Sequence, residues 1–327
     1  MPFRLLGFVC SAICVFLLQA CRDSGALAAV ELVKKAAPTS AERPSYRGVR
    51  MVETISGDRV SRHRENVFDN GGRDIGLSLV KDPNNTSHTQ IQELLFVIHG
   101  RFSYQFRDIS IGQTEWVAAN YLIYLSEDHA MVAGRPTAKL EFVPKHHNAV
   151  RVEVRFDEET GLALEVVRFD ATNRVNYRMR YDQIEIGNVT RSRNDPPTLP
   201  DPPNKLQLSD VPPGTTILSG QSIPAGFVLS ERTVTSAQLD THAKLFVVDR
   251  YSDGLQNLFV TQGEFSAMFN NPPAVDSGGG EPVFSVTNLG AINVVWGRRE
   301  EKSLAAFGPF DRSLLAEVIM GYSRSTK

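Results

Sequence analysis

Strict alternation of apolar with charged or polar residues marks the clearest elements of the chain. Val150, Val152, Val154 and Phe156 alternate with Arg151, Glu153 and Arg155, and Leu162, Leu164 and Val166 resume the pattern after a turn at Asp157 to Gly161. Val175, Tyr177, Met179 and Tyr181 repeat it against Asn176, Arg178 and Arg180. A period of two sends one set of side chains to a core and the other to water, so these are antiparallel strands covered on one face. Tyr46 to Ile55 and Arg59 to Phe68 read as two further strands, paired about Ser56-Gly57-Asp58.

A helical period interrupts the strands. Leu27, Val30 and Val33 recur at near-helical spacing before Pro38, predicting a helix over about Leu27 to Ala37. Ile91, Leu94, Leu95 and Ile98 fall at i, i+3, i+4 and i+7, predicting a second helix, Thr89 to Ile98, packed across the sheet. Later, Lys244 to Asp249 and Leu255 to Gly263 flank Tyr251-Ser252-Asp253-Gly254, whose Asp-Gly pair suits a tight hairpin. Val283 to Asn288 and Ala291 to Arg298 make another about Leu289-Gly290, and the charged run Gly297 to Lys302 reads as a wet hairpin tip. Leu314, Leu315, Val318 and Ile319 form one apolar stripe of a terminal helix, with Asp311 placed to cap it and Phe310 to staple onto Leu315.

Between Asn194 and Pro213 stand three Pro-Pro pairs. Proline fixes φ and lacks an amide hydrogen, so this stretch stays out of sheet interiors and helices and reads as an extended spacer between two domains. The predicted organisation is a signal peptide over 1–20, a first domain over 21–193, a linker over 194–213 and a second domain over 214–327. Asn271 to Gly280 reads as a long loop inside the second domain. The fold class is α+β: a curved antiparallel sheet wrapped around helices, then a smaller antiparallel sheet with a helix on one face. The concave side of the first sheet holds either a packed core or an acyl chain or peptide, which periodicity alone does not separate.

The amino terminus sets the expected compartment. Arg4 precedes an apolar run, Leu5 to Ala20, with the length of a signal-peptide core and short for a membrane span. Two processing sites compete. Leu18-Gln19-Ala20-Cys21 resembles a bacterial lipobox that would make Cys21 the lipidated first residue, although Gln19 departs from the usual small or aliphatic residue. Ala26-Leu27-Ala28 has the small-x-small spacing of ordinary signal cleavage. The expected location is periplasmic, anchored through Cys21 if that residue is acylated and soluble otherwise. Cys10 and Cys14 fall inside the signal and Cys21 at its edge, so no disulfide staples the mature chain.

A formal net charge of -2 with 22% charged residues argues against a general nucleic-acid binder. Among seven histidines only His146 and His147 are adjacent, and neighbours on a strand point to opposite faces, so no metal site is expected. The triple glycine from Gly278 has no following helix or lysine to make a phosphate loop. Ser230 and Ser252 lack a Gly-x-Ser-x-Gly setting. With no nucleophile beside its base and no cofactor motif, binding rather than catalysis is expected.

Two groups of short motifs carry a family resemblance. The first is a tyrosine-containing strand, Val132-Ala133-Gly134-Arg135, Pro144 after a strand, and the turn Phe156-Asp157-Glu158-Glu159-Thr160-Gly161-Leu162. The second is Ile223-Pro224-Ala225-Gly226-Phe227 followed by Arg250-Tyr251-Ser252-Asp253-Gly254-Leu255. In this order and spacing the chain resembles the RseB/MucB family of periplasmic sigma-E regulatory proteins, with little family signature between Gly57 and Glu115. The resemblance implies a first domain like the lipoprotein carrier LolA, a curved antiparallel half-barrel enclosing helices, and a smaller sheet-and-helix second domain. It also implies binding to the periplasmic part of an anti-sigma factor, shielding it from proteolysis until a lipid-type ligand releases the regulator. On this reading Arg135 and Tyr251 mark regions that shape the partner surface, or serve structure alone. Two other classes stay open: a lipoprotein or lipid carrier of the LolA/LolB type, and a structural envelope lipoprotein.

Overall fold

The computed structural model describes residues 28–36, 43–56, 59–72, 74–80, 109, 111, 114–147, 149–198, 205–206, 217–220, 223–239, 242–263, 285–288, 293–299 and 302–324. Helix α1 (28–36) precedes a long hairpin of β1 (Ser45–Ser56) and β2 (Arg59–Asn70), closed at the predicted turn by the Ser56–Arg59 pair. There follow β3 (Ile75–Leu79), α2 (Thr114–Asn120), β4 (Tyr121–Leu125), β5 (Ala130–Val132), β6 (Arg135–Pro144), β7 (Val152–Asp157), β8 (Ala163–Phe169) and β9 (Val175–Ile186). They form one antiparallel sheet in the order β3-β2-β1-β9-β8-β7-β6-β4, with β5 beside β6. The order runs from edge to edge without closing, so the sheet is open.

The alternation read from the sequence is the alternation of the sheet. Val152, Val154, Phe156, Leu164, Val166, Tyr177, Met179 and Tyr181 are all buried in one core cluster. The opposite face carries cross-strand ion pairs such as Lys139–Glu153 at 2.8 Å and Arg180–Glu165 at 3.2 Å, each worth little in water but together incompatible with burial of that face. Inside, Arg50 and Glu65 are register partners on β1 and β2 and pair at 2.9 Å, both fully buried.

Helix α1 lies where predicted but is turned about its axis. Val30 is exposed, and the packed residues are Ala29 and Val33 with Leu32 and Ala36 beside them. The close approach explains the choice of face. Lys35 Nζ donates to the Glu158 carbonyl at 2.6 Å, and a Cβ on Gly161 (φ +72°) would meet the Lys35 backbone at 2.8 Å. The predicted helix Thr89 to Ile98, the loop Asn271 to Gly280 and Cys21 lie outside the described residues.

The second sheet comprises β10 (Lys205–Leu206), β12 (Val228–Leu239), β13 (His242–Ser252), β14 (Asn257–Gly263), β15 (Ser285–Asn288), β16 (Asn293–Arg299) and β17 (Lys302–Gly308), in the order β10-β12-β13-β14-β17-β16-β15. Strands β11 (Leu218–Gly220) and β18 (Tyr322–Arg324) pair separately. Helix α3 (Arg312–Met320) places Leu315, Val318 and Ile319 against Leu258, Val260, Val295 and Leu304, with Phe310 in the same cluster. Asp311 occupies the predicted capping position, but its carboxylate makes no capping bond. Antiparallel sheets with few helices make the chain α+β, as expected.

Part of the proline-rich stretch is held to each sheet. Arg191 donates two hydrogen bonds to Asp74 at 2.5 and 2.7 Å, Thr198 Oγ1 donates to the same carboxylate at 2.8 Å, and Thr198 bridges to Gly76 on β3. Lys205 and Leu206 pair with Thr235 and Val234 at the edge of the second sheet. Edges are where proline-flanked segments can pair, because a missing amide hydrogen there breaks no internal ladder.

Candidate functional site

The first motif is a hairpin turn. Ala133 (φ 49°) and Gly134 (φ 78°) connect β5 to β6 with positive φ at both central residues, the twist that a two-residue hairpin favours. Nothing lies within 4 Å of a Cβ built on Gly134, so its backbone conformation, not space, calls for glycine. Val132 on one side is fully buried. Arg135 on the other reaches Asp157 through Nε and, at 3.1 Å, through Nη2, which also donates to Glu159 at 2.6 Å. Asp157 Oδ1 further accepts from the Thr160 amide and hydroxyl, both at 2.8 Å. Two motifs quoted separately from the sequence are thus one ionic lock. Burial pushes the Asp157 carboxyl up, but the hydrogen bonds from Arg135 and Thr160 outweigh it and hold the group below the ordinary aspartate value.

Tyr251 sits in the core of the second sheet. Its ring is 5% exposed and belongs to the core cluster beneath α3. Its hydroxyl lies 2.8 Å from that of Tyr322, which donates to Asp249 at 2.8 Å, and Asp249 receives two hydrogen bonds from Arg232, at 2.5 and 2.8 Å. Burial raises the pKa values of both tyrosines, so they remain donors. Tyr251 therefore acts on its surroundings by anchoring the loop that follows it.

That loop is not a two-residue turn. Ser252 pairs with Asn257, leaving Asp253-Gly254-Leu255-Gln256 as a four-residue tongue whose internal bonds are its own. Asp253 Oδ1 accepts from the amides of Leu255 at 2.9 Å and Gln256 at 2.7 Å, while Ser252 Oγ accepts from the Gly254 amide at 3.1 Å. The tongue reaches into the core of the first sheet: Leu255 is buried in the same cluster as Val117, Tyr121 and Val150. A Cβ on Gly254 (φ +98°) would stand 2.5 Å from the Val117 nitrogen, so both conformation and proximity require glycine.

The receiving residues are Asn120 and Tyr121, at the end of α2 and the start of β4. Tyr121 donates to Asp253 Oδ2 at 2.5 Å and accepts from Gln256 Nε2 at 2.8 Å. Asn120 Nδ2 donates to the carbonyls of Asp253 and Gly226, each at 2.9 Å. Gly226 (φ +89°) also needs to be glycine, since a Cβ would fall 2.7 Å from Asn120 Oδ1. One side-chain amide thus holds both second-domain motifs, Ile223 to Phe227 and Tyr251 to Leu255. Burial is the largest cause of the raised pKa of both Asp253 and Tyr121; the Asp253 charge raises Tyr121 further, and the Tyr121 hydrogen bond partly offsets the rise at Asp253.

Neither Asn120 nor Tyr121 was marked by the sequence, beyond a tyrosine at a strand start. Beside them lie exposed apolar side chains that sequence reasoning also missed: Leu122 and Tyr124 on edge strand β4, 47% and 52% exposed, and Val228 and Leu229 at the start of β12. Each pair begins two residues along the chain from the Asn120–Gly226 hydrogen bond. Among the described residues there is no cluster of three or more metal-ligating side chains, and no helix is long and apolar enough to cross a membrane.

No family model and no curated protein sequence matches the chain. Solved structures do. MucB in complex with MucA(peri) is similar with a TM-score of 0.55 and 16% identity, covering 91% of this chain and 100% of that one. The Pseudomonas aeruginosa MucA/MucB complex gives 0.53 and 14%, covering 91% and 99%. MucB solved alone gives 0.54 and 13%, covering 91% and 98%. The similarity spans 91% of this chain, both sheets together, and the chain has the MucB-like fold.

Proposed function

We propose that this chain is an exported envelope regulator that binds the periplasmic part of an anti-sigma factor and shields it from proteolysis until a lipid-type ligand releases it. The observation that carries the reading is likeness over both domains to MucB, a protein whose structure is known in complex with MucA(peri). The apolar residues Leu122, Tyr124, Val228 and Leu229, which lie on both sides of the joint, supply the contact surface in this reading. Large exposed apolar side chains flanking a domain boundary are what a protein partner covers. Arg135 and Tyr251 contribute by holding the hairpin and the tongue in shape.

On this reading the chain works in the periplasm, with Cys21 as a lipid anchor. A binding function needs no catalytic group and no cofactor. The test is affinity purification of the mature chain from its own envelope, with the retained protein identified. Recovery of an anti-sigma factor through its periplasmic domain supports the proposal. Recovery of lipidated cargo alone would favour a LolA/LolB-type carrier instead.

A further inference from the structure

The tongue between β13 and β14 shapes itself and is held from outside. Every hydrogen bond that shapes the tongue is internal to Ser252–Gln256, whereas Asn120, Tyr121 and the Val150 carbonyl, 3.4 Å from Gln256 Nε2, hold it from the other domain. Withdrawal of the tongue would therefore leave its own turn intact. Thr198 is fixed to Asp74 beside the first sheet, and Lys205 pairs with Thr235 at the edge of the second, so each sheet holds its own end of the proline-rich stretch. Closure, in turn, places a carboxylate out of water with Tyr121 as its side-chain donor. A buried acceptor deprived of its donor is far costlier than the same acceptor in water.

We infer that Asn120 and Tyr121 are positioning residues of an interdomain latch, which closes on the Asp253 tongue, fixes the two domains at one angle, and must be closed for tight partner capture. The inference rests on the proposed function for its last clause only. Asn120 acts on two loops at once, so losing its amide frees both Gly226 and Asp253. Tyr121 acts on the tongue alone. The apolar pairs Leu122–Tyr124 and Val228–Leu229 belong to different domains, and the latch decides whether they face a partner together.

The experiment compares the mature wild-type chain with Tyr121→Phe, Asn120→Ala and the double variant Tyr121→Phe/Asp253→Asn. Hydrogen exchange of the tongue amides, small-angle scattering and affinity for the purified periplasmic domain of the anti-sigma factor encoded by the same genome are measured on each. The two single variants should speed exchange at Leu255 and Gln256 roughly tenfold or more, enlarge the radius of gyration, and weaken capture by a similar factor, with exchange in β7 to β9 and β14 to β17 unchanged. The double variant, which buries a neutral amide in place of a carboxylate that has lost its side-chain donor, should recover part of the closure and the affinity. Faster exchange throughout either sheet would show a core staple rather than a latch and overturn the inference. So would an opened joint with undiminished capture, or a double variant no more closed than Tyr121→Phe. A wild-type chain that bound no anti-sigma domain would sink the proposed function, and the latch would then stand or fall on opening without unfolding.

Discussion

Tyr121 and Asp253 lie 132 residues apart in the chain and meet at 2.5 Å, hydroxyl to carboxylate, linking β4 of the first sheet to the tongue of the second. The contact ties the two sheets together. It also concentrates polar risk, since both groups are fully buried and each is the other's charge-assisted partner.

Tyr121→Phe should therefore destabilise the assembled chain by about 1–3 kcal/mol, the usual cost of stranding a buried polar group. Urea unfolding followed by the fluorescence of Trp116, which flanks the tongue at Gly254, measures it. An unchanged midpoint would mean that water or another donor already serves Asp253.

The two key aspartates give pH dependences of opposite sign. Asp157 is held below the ordinary aspartate value, so its contribution is present above that value and is lost as pH falls through the lowered one. Asp253 is raised by burial, so closing the joint favours its protonated form relative to the open tongue. Closure is then strongest in acid and weakens as pH rises through the raised value. Tyr121, itself raised, stays protonated throughout this window. The low-pH limb of stability should become shallower in Asp157→Asn, with Asp128 and Asp170, also held low, supplying the rest, and the pH dependence of tongue protection should flatten in Asp253→Asn.

Arg135→Ala should cost roughly 1.5–3 kcal/mol, because it removes charge-assisted hydrogen bonds from a carboxylate with no exposed surface. Arg135→Lys should recover only part of this, since an ammonium cannot reproduce the two-pronged contact. If thermal melting showed both variants as stable as wild type, the lock between hairpin and turn would be wrong, and any effect of Arg135 on capture would be direct.

Much of the first sheet was legible because the alternation in β7, β8 and β9 is a local property of the chain, set by which side of a pleat each residue occupies. Helix α1 shows the limit of such reading. Its extent followed from spacing, but the buried face was decided by Ala29 and by the backbone contact at Gly161, which periodicity does not record. The Arg135–Asp157 pair was present as two motifs without the link, since side-chain partners across strands depend on register. Asp253-Gly254 signalled a turn correctly and its size wrongly, because Leu255 and Gln256, apolar and polar alike, are recruited by the other domain. Asn120 gave no signal at all: an isolated asparagine at a helix end is unremarkable until two carbonyls from elsewhere converge on it.

Acylation of Cys21 is expected because it follows the apolar core directly, and a diacylglyceryl group would hold the polar mature chain at a membrane. Fatty-acid labelling should mark the wild-type chain and not Cys21→Ser. Absence of label from both, with an amino terminus at Ala29, would assign the chain to ordinary secretion.

The most direct measurement of the central claim is identification of what the mature chain retains when purified from its own envelope. An anti-sigma factor held through its periplasmic domain is expected, retained by wild type and largely lost from Asn120→Ala at unchanged fold. Retention of lipidated cargo alone, or of no specific protein, would contradict it.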